Sequence, residues 1–229
     1  MTIDEFRRQL VEHQCTHLFV DLDDTLLDGD SLPWFCRYLL RRHFHQPSFH
    51  LRVSAPLLLA ATRLRPAASF KPSLARFFEG WDQEVVQKLG SEFTDSELEA
   101  RIRPDLGRLL RDAQERQTHL VLATASLDLY CQPLAQRLGI DTLLSTELGY
   151  ENGVCTGKLK TPNCKGMNKL SRVQDFCTNY RVDPRGCAFL SDHQSDIPCF
   201  ELVGLPAVVS PSHQLRELAQ GQGIPELEV

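Results

Sequence analysis

The sequence predicts an α/β fold, in which a parallel sheet is covered by helices on both faces and a second segment is inserted after the first strand. Short apolar runs recur along the chain and alternate with stretches of helical spacing, which is typical of such a sheet. Polar residues follow several of these runs directly. The insertion is predicted because a long gap separates the first run, which ends before Thr25, from the regular alternation that begins at Pro104.

Length and composition limit the protein classes that fit. The chain has 229 residues, of which 42% are hydrophobic, enough for one sizeable core or for a core with a smaller insert. The net charge of −5 argues against a general nucleic-acid binder. No stretch of about eighteen apolar residues is present, so we expect no membrane span. The N-terminal residues lack the apolar segment of a signal peptide, so a cytoplasmic location is expected.

The eight cysteines do not form a recognisable metal or redox motif. No two of them are spaced as Cys-x-x-Cys, and several lie inside apolar runs. We therefore expect reduced thiols that act as small core residues.

The predicted elements alternate in chain order. The first strand is the apolar run His17–Val20. The rest are a helix over Pro104–Arg116, a strand over His119–Ala123, a helix over Leu127–Leu138, a hairpin within Glu147–Leu159 around Asn152-Gly153, a helix over Asn168–Tyr180, a strand over Cys187–Leu190, a helix over Asp196–Val203 and a strand over Pro206–Val209. This order predicts a Rossmann-like, doubly wound sheet built from residues 1–30 and 101–229, with residues 31–100 as the insert.

Charge is distributed unevenly between the two parts. Residues 31–78 hold eight basic residues and no acidic one, whereas the rest of the chain holds 17 basic and 30 acidic residues. The same segment contains the apolar run Ala55–Ala61. One interpretation is a helical insert with solvated basic residues and an apolar core. The alternative is a lid over an anionic substrate, or a surface that makes peripheral contact with an anionic membrane.

The most informative motif is an acidic pair, Asp21 and Asp23, directly after the first predicted strand. Side chains two residues apart in extended chain point the same way, so the two carboxylates are expected to face one site. Burying two like charges is costly unless a cation or a shared proton compensates for it. An acidic turn without function is the alternative, since Asp favours turns.

Three further polar sites are predicted at the same edge of the sheet. Thr124 follows the second strand, Lys165 opens the helix after the hairpin, and Asp192 begins a loop after the Cys187–Leu190 strand. Phosphoryl transfer needs these groups: one carboxylate attacks phosphorus, another holds Mg²⁺, a hydroxyl and an ammonium bind phosphoryl oxygens, and an acid protonates the leaving oxygen.

These motifs resemble those of the haloacid dehalogenase superfamily of phosphatases, and in particular its phosphoserine-phosphatase-like branch, subfamily IB. The segments that carry the resemblance are Asp21-Leu22-Asp23-Asp24-Thr25, Thr124-Ala125-Ser126, Asn163-Cys164-Lys165-Gly166 and the pair Asp192 and Asp196. The resemblance implies a Mg²⁺-dependent phosphomonoester phosphatase that forms an aspartyl phosphate, with a small phosphorylated metabolite as substrate. It also implies that the insert is a helical cap.

The resemblance assigns a role to each matching residue. Asp21 is the expected nucleophile and Asp23 the general acid and base. The other expected roles are phosphate binding by Thr124, Ala125 and Lys165, metal binding by Asp21, the backbone carbonyl of Asp23 and Asp192, and support of the site by Asp196 and Thr25. Thr124 and Asp196 are alternatively helix caps, and Ser126 is expected to be a cap.

The chain departs from the family pattern at several positions. Asp24 and Ser191 stand where many members carry Gly, and Asp30 stands where phosphoserine phosphatases carry Glu, so phosphoserine is not assigned as substrate. Three alternative functions stay open. They are a lipid-phosphate phosphatase similar to phosphatidylglycerophosphatase C (from the segment Arg37–Arg42 and the apolar run after it), phosphoryl transfer to an acceptor other than water, and a non-catalytic binding protein.

Overall fold

A computed structural model describes residues 1–43 and 70–229. In this part of the chain, six parallel strands form one sheet in the order β3-β2-β1-β6-β7-β8. The strands are β1 His17–Val20, β2 His119–Leu127, β3 Thr142–Thr146, β6 Cys187–Ser191, β7 Leu205–Val209 and β8 Glu226–Leu227. A separate antiparallel hairpin consists of β4 Leu148–Glu151 and β5 Val154–Leu159. The predicted α/β fold with a doubly wound parallel sheet is confirmed.

Helices surround this sheet. They are α1 Ile3–Glu12, α2 Ser31–His43, α3 Phe70–Phe77, α4 Gln83–Phe93, α5 Pro104–Glu115, α6 Asp128–Arg137, α7 Met167–Tyr180, α8 Ile197–Leu202 and α9 His213–Gly221. Shorter helical turns cover Leu22–Leu26, Thr94–Leu98, Glu99–Arg101, Pro184–Gly186 and Gln194–Asp196. None of the described helices is long and apolar enough to cross a membrane.

The sheet separates two apolar layers, and β1 shows how the sequence builds both. Leu18 and Val20 pack into one layer and Phe19 into the other, and all three are fully buried. A strand that is covered on both faces is apolar at every position, which is why His17–Val20 reads as a continuous apolar run. All eight cysteines are buried, so they contribute to the interior as small side chains.

The register of the sheet aligns the ends of its central strands. Val20 lies opposite Leu122 of β2 and Leu190 of β6. The residues that follow these three positions therefore reach the same edge of the sheet. Because the sheet is parallel, this edge collects the carboxyl ends of all its strands, where ligands bind in open α/β folds.

Several elements differ from the sequence-based expectation. Four of the observed elements were not predicted from the sequence, namely strands β3 and β8 and helices α1 and α9. β2 extends to Leu127 instead of ending at Ala123, because the chain stays extended through a register shift between these two residues. The hairpin turn is as predicted, since Asn152 and Gly153 have φ of 49° and 77°, the left-handed values of a tight two-residue turn.

The inserted helices α2 and α4 pack against α6 of the core through aromatic rings. The ring of Tyr130 lies 5.1 Å from that of Phe35 and 5.4 Å from that of Phe93. The division into core and cap stays a prediction. The apolar run Ala55–Ala61, on which the lid and membrane interpretations rest, lies outside the described residues.

Two helical glycines test the close packing of α4 on α6. A Cβ added at Gly90 of α4 would lie 1.8 Å from the Leu129 carbonyl oxygen, whereas one at Gly107 of α5 would lie 3.5 Å from Ile102 Cγ2, an ordinary contact. We expect Gly90→Ala to lower the free energy of unfolding by about 1–3 kcal/mol or more through overpacking. Gly107→Ala should raise it by up to about 1 kcal/mol, the difference in helix propensity. Urea denaturation followed by circular dichroism measures both, and equal stability of the two variants would contradict this packing.

Candidate active site

The acidic pair lies at the carboxyl end of β1, with Asp21 directly before a wide turn and Asp23 inside it. This turn covers Leu22–Leu26, and the Leu27 N–H donates to the Leu22 carbonyl oxygen over 2.9 Å. Asp24 adopts φ 54°, ψ −2° inside the turn. That left-handed backbone favours Gly and tolerates Asp, so Asp24 can stand where the resemblance expects Gly.

Asp21 is buried, with 8% of its surface exposed. Its Oδ1 accepts a hydrogen bond from the Leu22 N–H over 2.8 Å, and its Oδ2 lies 2.9 Å from the Lys169 ammonium. Burial raises the pKa of Asp21, while the positive charge of Lys169 acts in the opposite direction and lowers it. The lysine thus favours the charged form of a carboxylate that burial alone would protonate.

Lys169, in the first turn of α7, is 2% exposed and forms a second ion pair, with Asp196 Oδ2 at 2.5 Å. Burial by itself lowers the pKa of Lys169, but the charges of Asp21 and Asp196 outweigh it and raise that pKa. Lys165, the lysine that the motif predicts for phosphate binding, is exposed, and its amine lies 3.1 Å from His193 Nε2. The structure therefore places Lys169, not Lys165, against Asp21.

A sequence signal for Lys169 exists. Lys169, Val173, Phe176 and Cys177 are the buried residues of α7 and follow one another at helical spacing. A lysine on an otherwise apolar helix face needs a buried partner of opposite charge, because an unpaired buried charge is costly. The motif assigned from the sequence, Asn163-Cys164-Lys165-Gly166, ends before Lys169, so this residue was not identified there.

Asp23 is held by two hydrogen bonds from outside its own turn. Its Oδ1 accepts from the Ser31 N–H over 2.7 Å, and its Oδ2 accepts from the Ser126 hydroxyl. Burial, and after it the charge of Asp30, raises the pKa of Asp23. Ser126 was expected to cap a helix, but it lies within β2 and α6 begins two residues later. That expectation is wrong: β2 runs further than predicted, so the Ser126 hydroxyl faces Asp23.

Thr124 is buried and lies within β2, and its Oγ1 accepts a hydrogen bond from the Ser126 N–H over 3.0 Å. It does not stand at a helix start, so the alternative role as a helix cap does not apply. The neighbouring carbonyl of Ala125 accepts from Lys71 of α3 and from Thr146 of β3.

Asp192 and Thr25 meet at the other side of Asp21. The Thr25 hydroxyl donates to Asp192 Oδ1 over 3.1 Å. Burial and then the negative charge of Asp21 raise the pKa of Asp192 to about 7. Two carboxylates that disfavour each other's charge fit a site for a divalent cation, which would remove the repulsion.

The predicted metal ligands are two carboxylates and one backbone carbonyl. Within residues 1–43 and 70–229, no group of three or more His, Cys, Asp or Glu side chains is arranged to hold a metal ion. The predicted set needs no such group, because hard cations such as Mg²⁺ also take carbonyl oxygens and water as ligands.

Asp196 contacts Ser191 and Lys169 through its side chain. Its Oδ2 accepts a hydrogen bond from the Ser191 hydroxyl over 2.7 Å as well as the ion pair from Lys169, and it makes no capping hydrogen bond to α8. The capping alternative therefore does not apply. Ser191, which departs from the family pattern, lies 3.4 Å through its Oγ from Asp21 Oδ2 and so links the two acids.

One cavity of about 360 Å³ collects these side chains. Its lining includes the predicted residues Asp21, Asp23, Thr124, Ala125, Lys165, Asp192 and Asp196, together with the unpredicted Lys71, Ser126, Asn163 and Lys169. Thr25 does not line this cavity, and its hydroxyl bonds Asp192, which does. A larger groove of about 770 Å³ between α4, α6 and the hairpin contains none of the predicted side chains.

A family model for haloacid dehalogenase-like hydrolases matches residues 18–201. The chain belongs to this family. The match confirms the predicted family and the predicted enzyme class, a hydrolase.

Two curated proteins are similar to this chain over most of its length. A putative hydrolase of Mycobacterium leprae is 28% identical over 210 residues, which are 90% of this chain and 70% of the relative. The phosphoserine phosphatase SerB1 of Mycobacterium tuberculosis is 28% identical over 214 residues, 90% of this chain and 68% of the relative.

Solved structures share the fold. A protein of unknown function from Bordetella pertussis superposes with a TM-score of 0.82 at 21% identity and covers 93% of this chain and 97% of its own. A phosphoserine phosphatase captured as a phospho-aspartyl intermediate analogue gives a TM-score of 0.62 at 15% identity, with 92% of both chains covered. The expected likeness of fold to phosphoserine phosphatases is therefore confirmed.

The contacts of the two lysines lead to a stability prediction. Lys169→Met leaves two buried carboxylates without their cation, so we expect the free energy of unfolding to fall by about 3–5 kcal/mol. Lys165→Met removes an exposed amine and should change it by at most about 0.5 kcal/mol. Urea denaturation of both variants at neutral pH measures the difference. A smaller loss in Lys169→Met than in Lys165→Met would show that the buried ion pairs are misassigned.

Proposed function

We propose that the protein is a Mg²⁺-dependent phosphomonoester phosphatase that works through an aspartyl phosphate on Asp21, with a small phosphorylated metabolite as substrate. The observation that carries the proposal is the surroundings of Asp21: a buried carboxylate, 2.9 Å from a buried ammonium, in the same cavity as Asp23, Thr124 and Asp192. A carboxylate that is kept charged by a fixed cation is suited to attack phosphorus.

The first step forms the aspartyl phosphate. A carboxylate oxygen of Asp21 forms a bond to phosphorus while the bond from phosphorus to the ester oxygen breaks. The leaving oxygen takes the proton of Asp23, whose pKa is raised by burial, so that this carboxyl holds a proton at higher pH than an exposed Asp does. In this proposal phosphoryl oxygens are bound by groups that line the cavity, namely the hydroxyl of Thr124, the peptide of Ala125 and the ammonium groups of Lys165 and Lys169.

The second step releases phosphate. Asp23, now a carboxylate, takes a proton from a water molecule whose oxygen attacks phosphorus, and the bond between phosphorus and Asp21 breaks. Asp21, the backbone carbonyl of Asp23 and Asp192 would hold Mg²⁺. When bound, the ion offsets the repulsion between the Asp21 carboxylate and the anionic substrate.

The proposal does not extend to phosphoserine, although one relative is named for it. Asp30 stands where the resemblance expects Glu, and its side chain accepts a hydrogen bond from the Leu32 N–H over 2.9 Å. A carboxylate on a shorter side chain, already bonded to the backbone of α2, reaches less far into the cavity.

The role of Asp21 is tested by p-nitrophenyl phosphate hydrolysis. We expect the wild-type protein to hydrolyse this ester with Mg²⁺ and to lose activity when EDTA removes the ion. Asp21→Asn should lower kcat by about 1,000-fold or more, because an amide oxygen is a poor nucleophile. Asp28→Asn is the matched control: Asp28 lies on the same loop but is exposed and paired with Arg103, and the variant should keep the wild-type rate. Activity in Asp21→Asn equal to that of the control would refute the proposal.

The role of Asp23 gives a second test. Asp23→Asn cannot activate water, so we expect turnover of p-nitrophenyl phosphate to fall by about 100- to 10,000-fold. The p-nitrophenolate that leaves from this substrate is a stable anion and needs no protonation. The first step should therefore proceed in Asp23→Asn, and phosphoenzyme should accumulate. Acid quenching and mass spectrometry of the intact chain detect the added phosphoryl group. The double variant Asp21→Asn with Asp23→Asn is the control and should carry none, and unimpaired turnover in Asp23→Asn would exclude this residue from the mechanism.

A further inference from the structure

Lys71, in the first turn of α3, brings a charged group of the inserted segment into the cavity. Its ammonium donates to the Ala125 carbonyl oxygen over 2.5 Å and to Asn163 Oδ1 over 2.9 Å. These acceptors lie 54 and 92 residues away in the sequence. Lys71 thus joins the inserted segment to the end of β2 and to the loop before α7.

A second donor, Thr146 of β3, shares both acceptors. Its Oγ1 lies 2.6 Å from the Ala125 carbonyl oxygen and 3.1 Å from Asn163 Oδ1. A hydroxyl has one hydrogen, and the shorter distance assigns it to the Ala125 carbonyl. Asn163 Oδ1 then depends on Lys71. We call Lys71, the Ala125 carbonyl, Thr146 and Asn163 the carbonyl cluster.

The carbonyl cluster fixes the direction of one peptide unit. The peptide group is planar and trans, so the Ala125 carbonyl and the Ser126 N–H point in opposite directions. With the carbonyl held by Lys71 and Thr146, the Ser126 N–H is directed at Thr124 Oγ1, which it reaches at 3.0 Å. This bond occupies a lone pair of the Thr124 hydroxyl and leaves its hydrogen for an acceptor in the cavity.

The same residue, Ser126, donates its side-chain hydroxyl to Asp23. The peptide unit between Ala125 and Ser126 therefore affects the position of two groups in the proposed chemistry. They are the Thr124 hydroxyl, which would bind a phosphoryl oxygen, and the carboxyl of Asp23, the proposed general acid. A shift of this unit would move both.

We propose that Lys71 is a positioning residue, which orients the peptide between Ala125 and Ser126 and through it sets Thr124 and the Ser126–Asp23 contact for phosphoryl binding. The inference rests on the proposed function for its effect on catalysis. It means that the site is complete only while α3 of the inserted segment is docked on the sheet edge. Asn163, which Lys71 also binds, precedes α7 and so connects the carbonyl cluster to the helix that carries Lys169.

The competing role for Lys71 is direct contact with the leaving group of the substrate. The two roles differ in what they predict for inorganic phosphate, which has no leaving group. A positioning residue affects phosphate binding and all esters alike, whereas a contact with the leaving group affects only esters that reach it.

The test compares Lys71→Met with Lys88→Met, a matched change at an exposed lysine of α4. Steady-state kinetics use p-nitrophenyl phosphate and 4-methylumbelliferyl phosphate, and inorganic phosphate serves as inhibitor. We expect Lys71→Met to lower kcat/KM by about 10- to 100-fold for both esters and to raise the inhibition constant of phosphate. Lys88→Met should match the wild type. Thr146→Val removes the other donor to the Ala125 carbonyl without a change in charge, and should give the same pattern as Lys71→Met.

Amide hydrogen exchange provides a readout that does not depend on activity. The Ser126 N–H is bonded to Thr124 in the wild type, so its exchange should be faster in Lys71→Met and Thr146→Val than in Lys88→Met. If the wild-type protein hydrolyses neither ester, the proposed function fails, and the exchange rate of Ser126 still decides whether Lys71 orients this peptide.

Three outcomes would overturn the inference. One is unchanged Ser126 exchange in Lys71→Met. Another is a loss confined to one ester with an unchanged inhibition constant for phosphate, which would assign Lys71 to the leaving group. The third is wild-type kinetics in Thr146→Val, which would show that only the charge of Lys71 matters. Should Lys71→Met fail to fold, Thr146→Val carries the same test.

Discussion

The buried ion pairs of Lys169 are the contacts on which the rest of the site depends. Taking an ammonium and two carboxylates out of water is costly, and such groups seldom add net stability. Their value lies in the charge state that they impose: Lys169 opposes the rise in the pKa of Asp21 that burial causes. The ion pair with Lys169 thereby favours the carboxylate form of a buried acid, which is the form that the proposed attack on phosphorus requires.

Parallel strand register brings this arrangement together. Val20 lies opposite Leu122 and Leu190 in the neighbouring strands, so the carboxyl-terminal parts of three strands distant in sequence meet at one edge of the sheet. Asp21 follows the first of these strands directly. The side chains within hydrogen-bond distance of it come from the last residue of β6, Ser191, and from Lys169 at the start of α7, and the sheet supplies the rigid frame that holds them there.

The segment between β1 and β2 contributes contacts to the candidate site. Its helix α2 supplies the Ser31 N–H that holds Asp23, and its helix α3 supplies Lys71 to the Ala125 carbonyl. Its helix α4 approaches α6 so closely that Gly90 leaves no room for a side chain. The same segment thus packs on α6 through its backbone and contacts the sheet edge through hydrogen bonds.

The sequence by itself determined the fold class, the order of most strands and helices and the family, because apolar periodicity and turn residues are local signals. It also predicted that Asp21, Asp23, Thr124 and Asp192 lie at one edge of the sheet, since each lies at or near the carboxyl end of an apolar run. Only the tertiary structure decided which lysine meets Asp21 and what holds Asp23. Those contacts join residues up to about 150 positions apart, and a hydrogen bond depends on ångström-scale placement of whole elements, which no local pattern in a single sequence encodes.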